Sequence, residues 1–235
     1  MQPMRLANRL LTFNVMFVIG MVYVFGHCVI DLYSSPDRED ILAGLAAECK
    51  QVSGSYNGLG SKEAVDRLYR IDSTIRESMR VSDVAVTALA RDVVGKPLDL
   101  GNGIRIPRGT RVVYPTQAVH QDPDHYRDPL QFDAFRFSRP FEGISPQKGV
   151  DELGQNEENR LRLTTITPSF LAFGYGKHAC PGRWFATQTM KQALAGIVQN
   201  YDIEITNRPS TRPVVLNMMV PPTGTQMRFR RKAKR

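Results

Sequence analysis

The stretch Phe173-Gly174-Tyr175-Gly176-Lys177-His178-Ala179-Cys180-Pro181-Gly182 decides how the rest of this chain is read. Its glycines let the backbone come close to a flat ligand and take conformations that other residues avoid. Cys180 stands immediately ahead of a predicted helix, where free amide hydrogens and the helix dipole favour a thiolate over a thiol. Pro181 suits the first helical position, since the N–H it lacks would be unpaired there. A cysteine alone can equally be a core residue or a hydrolase nucleophile, but neither needs the flanking Phe-Gly-x-Gly and Pro-Gly. The text reads as a loop that presents an anionic sulfur, a soft metal ligand.

Downstream, the spacing predicts a helix from Arg183 to Asn200 with Phe185, Met190, Ala193, Leu194, Ile197 and Val198 inward. Upstream, Gln121 to Thr167 is rich in Pro, Asp, Arg and Gln and reads as a long loop, within which His120 and His125 bracket its start as loop-packing residues. Val84 to Thr87, Asp92 to Leu100, Ile104 to Ile106 and Thr110 to Tyr114 are short β-prone runs split by Gly101-Asn102-Gly103 and Pro107-Arg108-Gly109, which predicts small hairpins. Before them, Ser61 is placed to cap one helix running from Lys62 to about Met79, and Arg38 to Val52 forms another behind Ser34-Ser35-Pro36-Asp37. The apolar segment from Leu10 to Leu32 is about 23 residues, enough to span a bilayer or to form a long buried helix. The expected class is mainly α with small β hairpins.

The chain has 235 residues, a formal charge of +8 and 42% hydrophobic residues. Six basic residues crowd positions 228–235, and without them the rest carries only about +2, too little for a surface dedicated to nucleic acid. That basic tail reads as frayed and solvated, or as attracted to an acidic membrane surface. Cys28, Cys49 and Cys180 lie far apart without a Cys-x-x-Cys pair, against both a disulfide framework and a structural zinc site.

Phe-Gly-x-Gly-x-His-x-Cys-Pro-Gly resembles the haem-binding loop of the cytochrome P450 family, especially its fungal microsomal type. Two more motifs follow the family's order: Glu77-Ser78-Met79-Arg80 resembles its Glu-x-x-Arg, and Pro129 to Phe137 resembles the segment whose arginine, here Arg136, closes a Glu–Arg–Arg network. The resemblance implies haem b with Cys180 as the axial iron ligand and Phe173 packed beneath the haem near the sulfur. It also implies a loop shaped by Gly174, Gly176 and Gly182. His178 stands where the family usually has an arginine and is expected at a haem propionate, with Arg91 as a second propionate candidate by position alone. Glu77 and Arg80, three residues apart on a helix, share a face and can hold a carboxylate between guanidinium groups.

By the same resemblance, residues 1–235 are the C-terminal, proximal half of the family's fold, beginning at its I helix, with 169–200 as the haem loop and following helix and 228–235 as the tail. Leu10 to Leu32 is then a buried I helix in preference to a membrane anchor. Met16-Phe17-Val18-Ile19-Gly20-Met21-Val22-Tyr23 departs from the family's mid-helix acid and threonine; only Gly20 keeps the small step, and the Tyr23 phenol is the one candidate proton carrier.

The implied activity is a monooxygenase that inserts one oxygen atom from O2 into a small apolar organic substrate, with electrons from an NADPH-dependent flavoprotein reductase. Terpenoid or polyketide secondary metabolism and the cytosolic face of the endoplasmic reticulum membrane are the expected setting, the cytoplasm otherwise. Lys177, Arg183 and Lys191 are expected to form a basic patch for the acidic reductase. Two other readings stay open: a truncated, non-catalytic remnant of such an enzyme, and a cysteine hydrolase or membrane-tethered binding module.

Overall fold

The computed structural model describes residues 3–142, 161–207 and 212–233. Helices carry the core: α1 (Pro3–Ser34), α2 (Arg38–Tyr56), the short α3 (Lys62–Asp66), α4 (Tyr69–Val81), the short α5 (Thr116–His120) and α6 (Arg183–Asn200). Between and after them lie four antiparallel two-stranded pairings: β1 (Ala88–Asp92) with β4 (Arg111–Tyr114), β2 (Leu98–Asp99) with β3 (Arg105–Ile106), β5 (Tyr201–Asn207) with β8 (Gln226–Arg231), and β6 (Val214–Val215) with β7 (Met218–Met219). One apolar core joins Cys28, Leu32 and Tyr33 of α1, Leu45 and Cys49 of α2, Ile71 and Ile75 of α4, and Met190, Leu194 and Val198 of α6.

Helix α1 answers the choice between buried helix and membrane anchor in two parts. His27 to Tyr33 is buried and belongs to the core. Met4 to Ile19 leaves Leu10, Leu11, Phe13 and Met16 exposed, so the expectation of burial along the whole segment is corrected for that half. The helix is long and apolar enough to cross a membrane by length and composition, with a mean hydropathy of 2.0 in its most apolar window.

The single helix expected from Lys62 to Met79 is broken. Ser61 does cap α3, accepting from the Ala64 N–H at 3.1 Å. The chain then turns at Leu68 and starts afresh, because Glu48 of α2 accepts the backbone N–H groups of Arg70 (2.7 Å) and Ile71 (3.0 Å). A carboxylate from another helix thus caps α4, whose own cap residue Leu68 cannot.

Glu48 is half-buried, and burial pushes its pKa up from 4.5 to about 7 against the pull of the two N–H donors. The folded chain therefore favours the neutral acid. The stability this contributes is fully present below pH 4.5 and is lost as pH rises through 7. Urea denaturation of the wild type is expected to show a fall of about 1–2 kcal/mol across that window, discounted for partial exposure. Glu48→Gln should flatten it; an unchanged slope would remove Glu48 as the cause.

Helix α4 is buried on every side, from Ile71 to Arg80. Most of its polar side chains are accordingly engaged by other segments, Arg76 Nε being an exception. Asp72 pairs with Lys191 of α6 at 3.0 Å and accepts from the Leu163 N–H at 2.7 Å. Ser73 accepts from the Phe137 N–H at 3.0 Å. Ser78 and Ser82 donate to Asp31 of α1 at 2.7 and 2.8 Å. Arg76 lies between the Phe137 and Phe170 rings, 4.7 and 4.1 Å from their centroids, and donates to the Arg162 carbonyl; burial pushes its pKa down to about 10.

Asp31 also pairs with Arg212, which donates to His27 Nδ1 at 3.2 Å, while His27 Nε2 donates to the Met219 carbonyl at 3.1 Å. This ties the β6–β7 hairpin to α1. The basic tail is corrected as well: Arg228, Arg230 and Arg231 are not frayed but sit in β8, with Arg228 facing Glu204 and Arg230 facing Asp202, each at 3.2 Å. Residues 143–160 of the expected long loop, and Lys234 and Arg235, lie outside the described residues.

Candidate functional site

The cysteine segment leaves an isolated bridge between Thr167 and Phe170 and folds into two reverse bends. The Gly174 N–H donates to the Leu171 carbonyl and the Cys180 N–H to the Phe173 carbonyl, both at 2.8 Å. Gly174 and Gly176 have φ of +78° and +62°, left-handed values that a side chain would strain. A 3-10 turn, Gly176–His178, follows. Helix α6 opens at Arg183 with Gly182 as its cap, so Pro181 precedes the cap instead of occupying the first helical position. Arg183 turns back to donate to the Cys180 carbonyl at 2.8 Å, and its guanidinium stacks 3.5 Å over the exposed Trp184 ring.

Cys180 borders a cavity of about 310 Å³ between α1 and α6. Met16, Phe17, Gly20, Met21 and Val24 form one wall; Phe173, Cys180, Gly182, Ala186 and Met190 form the opposite one. Phe17 and Phe185 meet across it with ring centroids 5.1 Å apart. Phe185 is therefore not a core residue of α6 as the periodicity suggests but is 63% exposed, and Ala193 is exposed too. A Cβ built on Gly20 meets nothing within 4 Å, so this glycine widens the cavity instead of admitting a close neighbour. The third wall, Met79 to Ala85 after α4, brings Ser82 and Asp83 to the rim; together with Cys180 they supply the polar side chains of the lining. Tyr23, the proton carrier expected from the sequence, is not in the lining.

An apolar slot whose one thiol sits ahead of a helix start fits a flat, largely apolar, metal-bearing ligand such as haem. Of the residues expected to touch it, the structure brings Phe173, Cys180 and Gly182 together at the slot. Gly174, Gly176, His178 and Arg91 lie outside the lining. His178 is exposed on its 3-10 turn, and Arg91, exposed on β1, donates to the Ala90 carbonyl at 2.7 Å. The basic patch is corrected: Lys191 is buried against Asp72 and only Lys177 is freely exposed. Among the described residues no group of His, Cys, Asp and Glu is arranged to hold a bare metal ion.

Behind the slot, Glu77 and Arg80 are fully buried and joined by two 2.8 Å hydrogen bonds, and Arg136 Nε reaches both oxygens of Glu77 at 3.1 Å. The Asp133 N–H adds a further bond to Glu77 Oε1 at 3.0 Å. Arg80 spends its remaining N–H groups on the carbonyls of His120 and Pro129, both at 2.6 Å, and of Gln131 at 3.2 Å. The carboxylate is thus held by two guanidinium groups, and the guanidinium clamps the backbone that leads toward Arg136. His120 is buried beside this network, whereas His125, expected to pack, is exposed.

A helical core, an apolar slot with one cysteine at its border, and a buried carboxylate–guanidinium network make up the candidate site. The sequence pattern of the family described as Cytochrome P450 matches residues 32–229, and the chain belongs to that family. It is 35% identical over 240 residues to cytochrome P450 monooxygenase gloP of Glarea lozoyensis, covering 99% of this chain and 43% of that protein. It is 39% identical to cytochrome P450 monooxygenase htyF of Aspergillus rugulosus over 89% of this chain and 30% of that one, and 33% identical to efuH of Hormonema carpetanum over 85% and 35%. The chain spans less than half the length of these relatives.

Proposed function

We propose that this chain supplies the C-terminal, haem-loop half of a haem-thiolate monooxygenase, with Cys180 as the axial ligand of haem b. The observation that carries this reading is that Cys180, alone of the three cysteines, borders the apolar slot. Bound haem would supply the activation of O2, by which one oxygen atom is inserted into an apolar organic substrate. The chain's own residues do the rest. The Gly174–Cys180 turn presents the sulfur, Phe173 closes the slot beside it, and the half-buried Met21 and Val24 help to keep water from the slot. His178 and Arg91 remain the candidates for the propionates. The family membership and the word monooxygenase in the relatives' names support O2 as co-substrate; a small apolar substrate of fungal secondary metabolism, terpenoid or polyketide in class, and an NADPH-dependent flavoprotein reductase complete the proposal. The setting that goes with this reading is the cytosolic face of the endoplasmic reticulum membrane, for which the exposed apolar residues of α1 ahead of the slot, Leu10, Leu11 and Phe13, offer a contact surface.

The test is to load the full chain with haem and record the reduced carbon-monoxide difference spectrum. A thiolate-type Soret band with one haem per chain is the expected result. A folded chain that takes up haem without that band would overturn the assignment of Cys180.

A further inference from the structure

We infer that His120, oriented by Asp83, is the positioning residue that locks the cysteine loop to the buried Glu77–Arg80–Arg136 network. The inference rests on Cys180 being the haem ligand and goes beyond it, since neither residue belongs to the loop or to the network. His120 closes α5 and is 0% exposed, with its ring stacked on Phe170 at a centroid distance of 5.4 Å. Its backbone carbonyl accepts from Arg80 at 2.6 Å. Its ring Nε2 accepts the Leu171 N–H at 2.8 Å, and the Leu171 carbonyl in turn accepts from Gly174, the first bend of the loop. One residue therefore joins the network to the segment that carries Cys180.

The proton position follows from these contacts. Nε2 must present a lone pair to the Leu171 N–H, so the neutral ring carries its hydrogen on Nδ1. Asp83 Oδ2 lies 3.2 Å from Nδ1 at an angle that falls short of a hydrogen bond, and neither atom has a hydrogen-bond partner, so these two buried polar atoms are left to satisfy each other. Asp83 is itself fixed through Oδ1, which accepts the Ala85 N–H at 3.1 Å. If the ring took the other tautomer, its Nε2–H would confront the Leu171 N–H and the loop would have to move. A carboxylate that sets a histidine tautomer, which then sets the loop around a metal ligand, is the kind of outer support whose loss weakens metal sites by about 10–100-fold.

The full chain, loaded with haem, tests this by the share of protein that shows the thiolate-type Soret band when reduced under carbon monoxide. His120→Leu keeps the bulk and removes the acceptor; the band is expected to fall about tenfold, with faster haem release. His120→Gln, whose amide oxygen reaches the Leu171 N–H, should restore most of it. Asp83→Leu should behave like His120→Leu, and Asp83→Asn, whose amide oxygen can accept from Nδ1–H, should keep the band. A wild-type band in His120→Leu, or the same loss in Asp83→Asn as in Asp83→Leu, would overturn the inference. Nitrogen-15 spectra of the wild-type ring decide independently of whether the variants fold: a bare Nε2 and a protonated Nδ1 are required, and the opposite tautomer overturns the proposal. If the wild type shows no thiolate band, the haem reading fails by itself, while the ring tautomer and protection of the Leu171 amide from exchange still decide the role of His120.

Discussion

Cys180→Ala is expected to abolish the thiolate-type Soret band of the haem-loaded, reduced, carbon-monoxide-bound chain, with little change in helix content or in the urea midpoint. The loss should be complete because no second thiol can substitute. Cys28 and Cys49 are fully buried in the core, where burial pushes both thiols up, Cys49 to about 12, so that neither ionises at neutral pH. Neither borders the slot. The controls follow directly: Cys28→Ala and Cys49→Ala should keep the band at full intensity. A small effect of Cys180→Ala on stability is expected because the side chain is only partly buried, at the edge of the core. A residual thiolate band in Cys180→Ala, or its loss in either control, would assign the ligand elsewhere.

Glu77→Ala is expected to cost about 3–5 kcal/mol, the largest effect on stability of any single substitution considered, because it strands buried cations without their carboxylate. Arg80 is 0% exposed, and among the described residues Glu77 is the carboxylate that Arg136 Nε meets. Part of that cost is the stranded charge and not the value of the pair. Glu77→Leu combined with Arg80→Met should therefore be less damaging than Glu77→Ala alone, since a matched apolar pair avoids the desolvated cation. Chemical denaturation of the set measures this: a double variant as unstable as the sum of its singles would mean that the two residues act independently.

The helix from Arg183 to Asn200 was legible to the residue because Pro181-Gly182 punctuates its start. Its inward face was not: Phe185 and Ala193 fall among the apolar positions yet are exposed, and apolar spacing alone does not tell a packed position from an open one. The break before Tyr69 was invisible for a different reason. It depends on Glu48, a residue of another helix, and no pattern within Lys62 to Met79 carries that information. The Glu77, Arg80 and Arg136 constellation could be read from the order of its motifs, and the structure brings the three side chains together. His120 with Asp83, and Arg212 with Asp31, could not, since the partners stand 37 and 181 positions apart and meet only through the fold. A buried polar side chain with no partner nearby in sequence is the one signal that would have flagged them.

The all-round burial of α4 also constrains how this chain reaches its native state. Asp72, Ser73, Glu77, Ser78 and Arg80 are satisfied by α6, by the 127–137 segment and by α1, from both ends of the chain. Until those distant segments arrive, a formed α4 would hold desolvated charges, and a solvated α4 would leave the core without its central helix. Neither half-way state is stable, so the helix is acquired together with its surroundings, in one cooperative step.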